Sequence, residues 1–214
     1  MKFENIRATA IFILQRPFAR FEVPPEPFMD PESAARFNDE LEAAKLYLEF
    51  GSGGSTMAAT RVGVPTVSVE NDPKFAAAVK KAAGRNVTLL AVDTGVTGAT
   101  GFPLFRRPSS ARIARWRRYV EAPFSILDER FPDLILVDGR WRVACALEAA
   151  RRAKLAGEAP LIMVDDYRGR AHYAVIETHL GRPEMVGRSA WFRISDQTPS
   201  VPISAVEDAL LDPR

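Results

Sequence analysis

The sequence predicts an α/β fold: a doubly wound, mostly parallel sheet that ends in a C-terminal antiparallel hairpin. Three observations predict it. Short apolar runs such as LILV (134–137) and LIMV (161–164) alternate with longer segments of helical period. Strands that are apolar throughout are buried on both faces, as parallel sheets flanked by helices require. Near the C-terminus this alternation stops, and two short strand-like pieces flank Gly187-Arg188 between residues 184 and 194.

The elements follow in order. Residues 1–29 carry Pro17, Pro24, Pro25 and Pro27 and read as an irregular arm over the domain. Residues 30–214 form one Rossmann-like domain. Its first helix starts at Asp30-Pro31-Glu32, where Asp30 can cap and proline suits the first turn. Ala34, Phe37 and Leu41 mark its apolar face. Strands are expected at 45–50, 66–69, 87–92, 133–137 and 161–164. Helices are expected at 55–61, 73–83, 111–120 and 142–156, two of them stopped by Gly84 and Gly157. Trp191 and Phe192 of the hairpin read as core.

Composition narrows the function classes. The chain has 214 residues, 47% hydrophobic and 26% charged, with a net charge of +2. That charge gives no general attraction to nucleic acid or membrane. The single cysteine, Cys145, excludes an internal disulfide framework and fits a helical core position. No apolar run reaches the ~18 residues of a spanning helix. ATAIFIL (8–14) is followed by Gln15, Arg16 and Pro17 and not by a small-residue cleavage site, so a cytoplasmic protein is expected.

The stretch LYLEFGSGGST (46–56) carries the chemistry. A strand ends in an acid, Glu49, and runs into Gly51, Gly53 and Gly54, then Ser55 and Thr56. Strand, glycine turn and helix together build a nucleotide or anion site. A second acid, Glu70, ends the next strand 19 residues after Gly51. This is the spacing of an acid that accepts hydrogen bonds from ribose hydroxyls. A nicotinamide fingerprint needs a third glycine where this chain has Thr56, and Glu49 would oppose a pyrophosphate. An acid at that place suits an amino group. The pattern favours a nucleoside joined to an amino acid, as in S-adenosylmethionine.

EFGSGGST, followed by SVEND at the second strand end, resembles the class I S-adenosylmethionine-dependent methyltransferases over roughly residues 40–195. The resemblance implies that Glu49 lies near the methionine end and that Gly51, Ser52 and Gly53 pass beneath the ligand. It further implies that Glu70 holds the ribose and that Asp93 lies near the adenine. Ser55, Thr56, Asn71 and Asp138 complete the expected cofactor contacts. The implied activity is methyl transfer to a small-molecule hydroxyl or amine. A nicotinamide-dependent oxidoreductase and a non-catalytic methyltransferase-like binding module are the alternatives.

Two more strands end in acids, at Asp138 and at Asp165-Asp166. In a parallel sheet these ends share one edge, where ligands bind. Three carboxylates there repel one another unless cations join them, and oxygen ligands of this kind suit Mg²⁺. DGRW and DDY also resemble the metal-dependent O-methyltransferases of the catechol and macrocin types. That resemblance implies a metal set of Asp138, Asp165 and Asp166, with the ion lowering the pKa of an acceptor hydroxyl. Arg140-Trp141-Arg142 follow Asp138 where some of those relatives have histidine, so pairing of the acids with arginine is the competing expectation.

His172, in YRGRAHY, is a candidate general base beside Asp138 and Asp165; packing is its other reading, as for Tyr167 and Tyr173. Residues 94–120 hold six arginines and no acid. On a helix, Ile113, Trp116 and Val120 form the apolar stripe there. The basic stretch 106–118 then either covers the domain or meets an acidic acceptor, an acidic partner or nucleic acid. The glycines before it suit a lid. The expected partner is a small molecule, with no membrane, and self-association stays open.

Overall fold

The structure is a computed structural model that describes residues 21–98, 101–127 and 130–214. The first 20 residues of the expected arm, ATAIFIL among them, lie outside the described residues.

Seven strands form one sheet in the order β3-β2-β1-β4-β5-β7-β6. They are β1 (Tyr47–Phe50), β2 (Thr66–Glu70), β3 (Val87–Ala91), β4 (Leu134–Val137), β5 (Leu161–Val164), β6 (Glu184–Val186) and β7 (Ser189–Arg193). The first five are parallel, and β7 runs antiparallel to both β5 and β6. The fold is therefore the doubly wound sheet with a terminal hairpin. The chain moves outward from β1 to β3 and then returns to place β4 beside β1. This reversal opens a crevice at the strand C-termini, the usual ligand site of such sheets.

The period-2 rule sorts β1 and β4 between two layers. Tyr47, Leu134 and Leu136 face one core, packed with Phe37 of helix α1 (Pro31–Ala43) and with Ala58 and Ala59 of α2 (Gly54–Val62). Leu48, Phe50, Ile135 and Val137 face the other. There they meet α4 (Ser110–Glu121), α5 (Arg142–Ala156), α6 (Val175–Leu180) and α7 (Ile203–Ala209). The remaining helix, α3 (Pro73–Ala82), lies between β2 and β3 in sequence. Asp30 caps α1 by accepting from the Ser33 amide and hydroxyl, at 3.1 and 2.6 Å. The Ser33 bond holds its carboxyl down at about 2.

The alanine-rich α5 has its residues 142–150 buried without a break, Cys145 among them, as expected of a core helix. Trp191 and Phe192 are buried too. Two α-helices go beyond the expectation: α6 and α7, of 6 and 7 residues. Both are short and lack a side-chain cap, so nothing in their sequence announces them. No helix among the described residues is long and apolar enough to cross a membrane.

Candidate functional site

Gly51 sits at the reversal point with φ +97°, a conformation that L side chains rarely adopt. A Cβ there would stand 2.7 Å from the Gly139 backbone, so the loops after β1 and β4 touch backbone to backbone. The cleft above them encloses about 610 Å³, a common size for a small-molecule site. Gly51, Ser52, Glu70, Asn71, Asp138 and Gly139 line it, together with Asp72, Phe75, Tyr119 and Arg140. Phe21 closes one side and meets Phe75 edge-on at 6.1 Å. The described part of the arm crosses the start of α2, where a Cβ on Gly54 would collide with the Glu26 carbonyl. Arg61 holds the arm through the Pro25 carbonyl at 2.6 Å and the Glu26 carboxylate at 2.7 Å.

Glu70, the expected ribose acceptor, ends β2 in the cleft wall. Its carboxylate takes the amides of Ser52, Asn71 and Asp72, at 3.2, 2.9 and 2.7 Å. Burial nevertheless dominates and pushes its carboxyl up to about 7. Asn71 donates to Thr94 Oγ1 and to the Gly101 carbonyl, so it ties the loop after β3 to the cleft wall. Ser52 shares a 2.6 Å hydroxyl contact with Ser68.

Glu49 is placed differently from the expectation. It shares the Tyr47 face of β1, beneath the turn, and is fully buried. Its carboxylate accepts from Tyr47 at 3.0 Å, from Ser55 at 2.5 Å and from Thr56. Thr56 Oγ1 in turn accepts the Gly53 amide at 2.9 Å. These residues anchor the glycine turn from below and leave Glu49 without an opening to the cleft. The period of the strand explains it: Phe50 points to the opposite layer, so Glu49 must point toward α2. Burial raises its carboxyl pKa above the ordinary value.

Asp93 also departs from the expectation. β3 ends at Ala91, and the Asp93 side chain is 70% exposed, 3.7 Å from Arg115. His172 lies against Tyr173, ring centroids 4.4 Å apart, in a separate depression with Val143, His179 and Asp208. Burial and the nearby Arg214 lower its pKa. Tyr167 and Tyr173 are packing residues: the Tyr167 hydroxyl goes to the Tyr173 carbonyl and Glu177.

The three later acids do converge. One carboxylate oxygen from each of Asp138, Asp165 and Asp166 lies within 4.8 Å of the others. Three arginines lie among them. Arg142 is 4% exposed and reaches Asp138 at 2.8 Å and Asp166 at 3.6 Å, while its Nη1 donates to the Asp165 carbonyl. Arg170 meets Asp166 at 2.7 Å. Arg188 meets Asp166 at 2.8 Å and Asp165 at 3.3 Å. Burial, relieved in part by Arg142, pushes the Asp138 carboxyl up to about 7. Asp166 sits at φ +54°, which turns its side chain into this cluster. One Asp165 oxygen, Oδ1, has no hydrogen-bond partner among the described residues.

Three aromatic side chains of the wall were not expected from the sequence. Tyr119 neighbours the expected stripe of α4; Trp116, Tyr119 and Val120 are all buried, and the Tyr119 hydroxyl packs over Gly139. The signal available was its place three residues after Trp116. Phe21 and Phe75 come from the arm and from α3, which no motif marks.

Among solved structures, the chain is similar to a methyltransferase-like protein from Silicibacter pomeroyi DSS-3, with 31% identity and a TM-score of 0.75. The match covers 90% of this chain and 100% of that one. A putative caffeoyl-CoA O-methyltransferase from Staphylococcus aureus matches at 14% identity over 92% and 79% of the two chains, but its TM-score of 0.44 carries no weight. No family profile matches the chain. No curated protein matches it either.

Proposed function

The chain belongs to the class I S-adenosylmethionine-dependent methyltransferase family, and from that premise we propose that it moves a methyl group from S-adenosylmethionine to a hydroxyl or amine of a small molecule. The observation that carries the reading is Glu70: a buried carboxylate at the end of β2, facing a cleft of ligand size beside the glycine turn.

The residues fit this cofactor. Glu70, Asp72, Asp138 and Asp166 line the cleft together with Arg140, Arg142 and Arg170, so carboxylates are present for ribose hydroxyls and an amino group. The sulfonium supplies the methyl group, so the protein's work is positioning and proton removal. Asp138 is the group for the second task. With a carboxyl near 7 it is partly ionised at neutral pH and matched to act as general base. Its link to Arg142 holds it in place.

Mg²⁺ does not fit the cluster as arranged. Each of the three carboxylates already meets at least one of three guanidiniums, and Arg142 joins Asp138 to Asp166. The reaction proposed here therefore takes no step through a metal. The buried, paired Arg142 also favours a second reading, a cofactor-binding module without turnover.

Calorimetry with S-adenosylhomocysteine tests the main reading. Glu70→Ala should weaken binding by about 1.5–3 kcal/mol, the loss of a hydrogen bond to a charged acceptor. Unchanged affinity in that variant would remove Glu70 from the site. Binding without turnover over a broad acceptor panel would favour the module.

A further inference from the structure

Arg140 stands apart from the other arginines of the cleft. Arg142, Arg170 and Arg188 are each paired with at least one carboxylate. The Arg140 guanidinium lines the cleft and has no carboxylate partner among the described residues; its contact is the Phe102 ring, 5.5 Å from the centroid. Arg106 reaches the same ring at 5.2 Å and is likewise unpaired among the described residues. Both guanidiniums thus contact one ring near the cleft. Arg140, partly buried and without an ion pair among the described residues, would gain from an anion in the cleft. Arginine also presents a planar fork of donors that matches carboxylate and phosphate oxygens. Burial and the neighbouring Arg142 lower the Arg140 pKa, and the attraction of Asp138 opposes them only in part.

We propose that Arg140, with Arg106 beside it on Phe102, recognises an oxyanion of the methyl acceptor, a carboxylate or a phosphate. This rests on the methyltransferase reading and deepens it: the acceptor is an acid that also carries the hydroxyl or amine. Arg140 is then a specificity-determining residue, one position from Gly139 and two from the base Asp138. The methionine carboxylate of the cofactor is the other source of the same chemistry, and the test separates the two.

The test is binding to protein saturated with S-adenosylhomocysteine, read by calorimetry. The probes are phenyl phosphate and 4-hydroxybenzoate, each against its uncharged counterpart, phenol and methyl 4-hydroxybenzoate. Wild type should bind at least one anionic probe tenfold or more tightly than its counterpart. Arg140→Gln should erase that preference, and Arg140→Lys should restore part of it. The affinity for S-adenosylhomocysteine itself should be the same in all three proteins. Arg106→Gln, at an exposed position, should weaken the same preference by a smaller factor. Equal binding of charged and uncharged probes to wild type, or no binding of any probe, overturns the proposal. So does a tenfold loss of S-adenosylhomocysteine affinity in Arg140→Gln, which would assign the guanidinium to the cofactor. Failure of S-adenosylhomocysteine to bind wild type is a different result: it sinks the methyltransferase reading, whereas cofactor binding without anion selectivity sinks this inference alone.

Discussion

A carboxyl held near 7 ties cofactor affinity to pH. In the proposed role Glu70 would be ionised to accept from ribose hydroxyls, yet burial keeps it largely protonated below neutrality. Binding of S-adenosylhomocysteine should therefore strengthen as pH rises from about 6 to 8, with release of a proton that calorimetry in two buffers can count. Glu70→Gln should flatten most of that dependence. Asp138 titrates in the same window, so any residual slope in the variant belongs to it. The sign for stability is opposite. Glu70 gives up its proton more readily unfolded than folded, so the unfolded state binds fewer protons between about 4.5 and 7. Its contribution to stability falls as pH rises through that range. A ligand-free protein that instead gained stability from Glu70 there would contradict the placement. Residue by residue, the position of Glu70 at the end of β2 was readable, because the strand end and the spacing both mark it. The sequence misplaced Glu49, because the same motif does not say which face of β1 the acid takes.

The glycine turn is an element built from both sides. From below, Ser55, Thr56 and Tyr47 hold Glu49 and so fix the start of α2 to β1. Thr56→Val keeps the shape but leaves a buried carboxylate short of one donor and the Gly53 amide short of an acceptor. It should cost about 1–3 kcal/mol in denaturant unfolding. From above, Gly51 lets the β1 and β4 loops touch. Gly51→Ala combines a left-handed φ with a contact of 2.7 Å to backbone that cannot step aside. The change should cost more than the ~1–2 kcal/mol of conformational strain alone and should reduce cofactor binding as well. Normal stability in Gly51→Ala would mean that the loops are farther apart than described. The strands and the long helices were legible because their periods are strong. By contrast, α6 and α7 escaped because one or two turns carry too little period to read. The basic α4 is also clearer in three dimensions: Arg117 pairs with Glu121 and Glu207, and Arg115 with Asp93, which accounts for part of its charge as ordinary surface pairing.

Across the whole molecule, the sheet brings the ends of β1, β2, β4 and β5 to one edge, and four acids with them. The sequence could predict the convergence of Asp138, Asp165 and Asp166, since parallel strands fix which ends meet. It could not choose between a metal and arginine as their counterion. The choice depends on Arg170 and Arg188, which reach the cluster from the loop after β5 and from the hairpin. Turnover should accordingly be indifferent to a chelator. Asp166→Asn should lower stability, since it removes the common partner of three guanidiniums, one of them buried. Loss of turnover with chelator and recovery with Mg²⁺ would reverse that conclusion. The roles of all these residues depend on the identity of the ligand in the cleft. One calorimetric comparison decides it: wild-type protein titrated with S-adenosylhomocysteine and, separately, with NADH. Wild type should bind one S-adenosylhomocysteine per chain and give no heat with NADH; saturable NADH binding with none of the S-adenosyl compound would overturn the assignment.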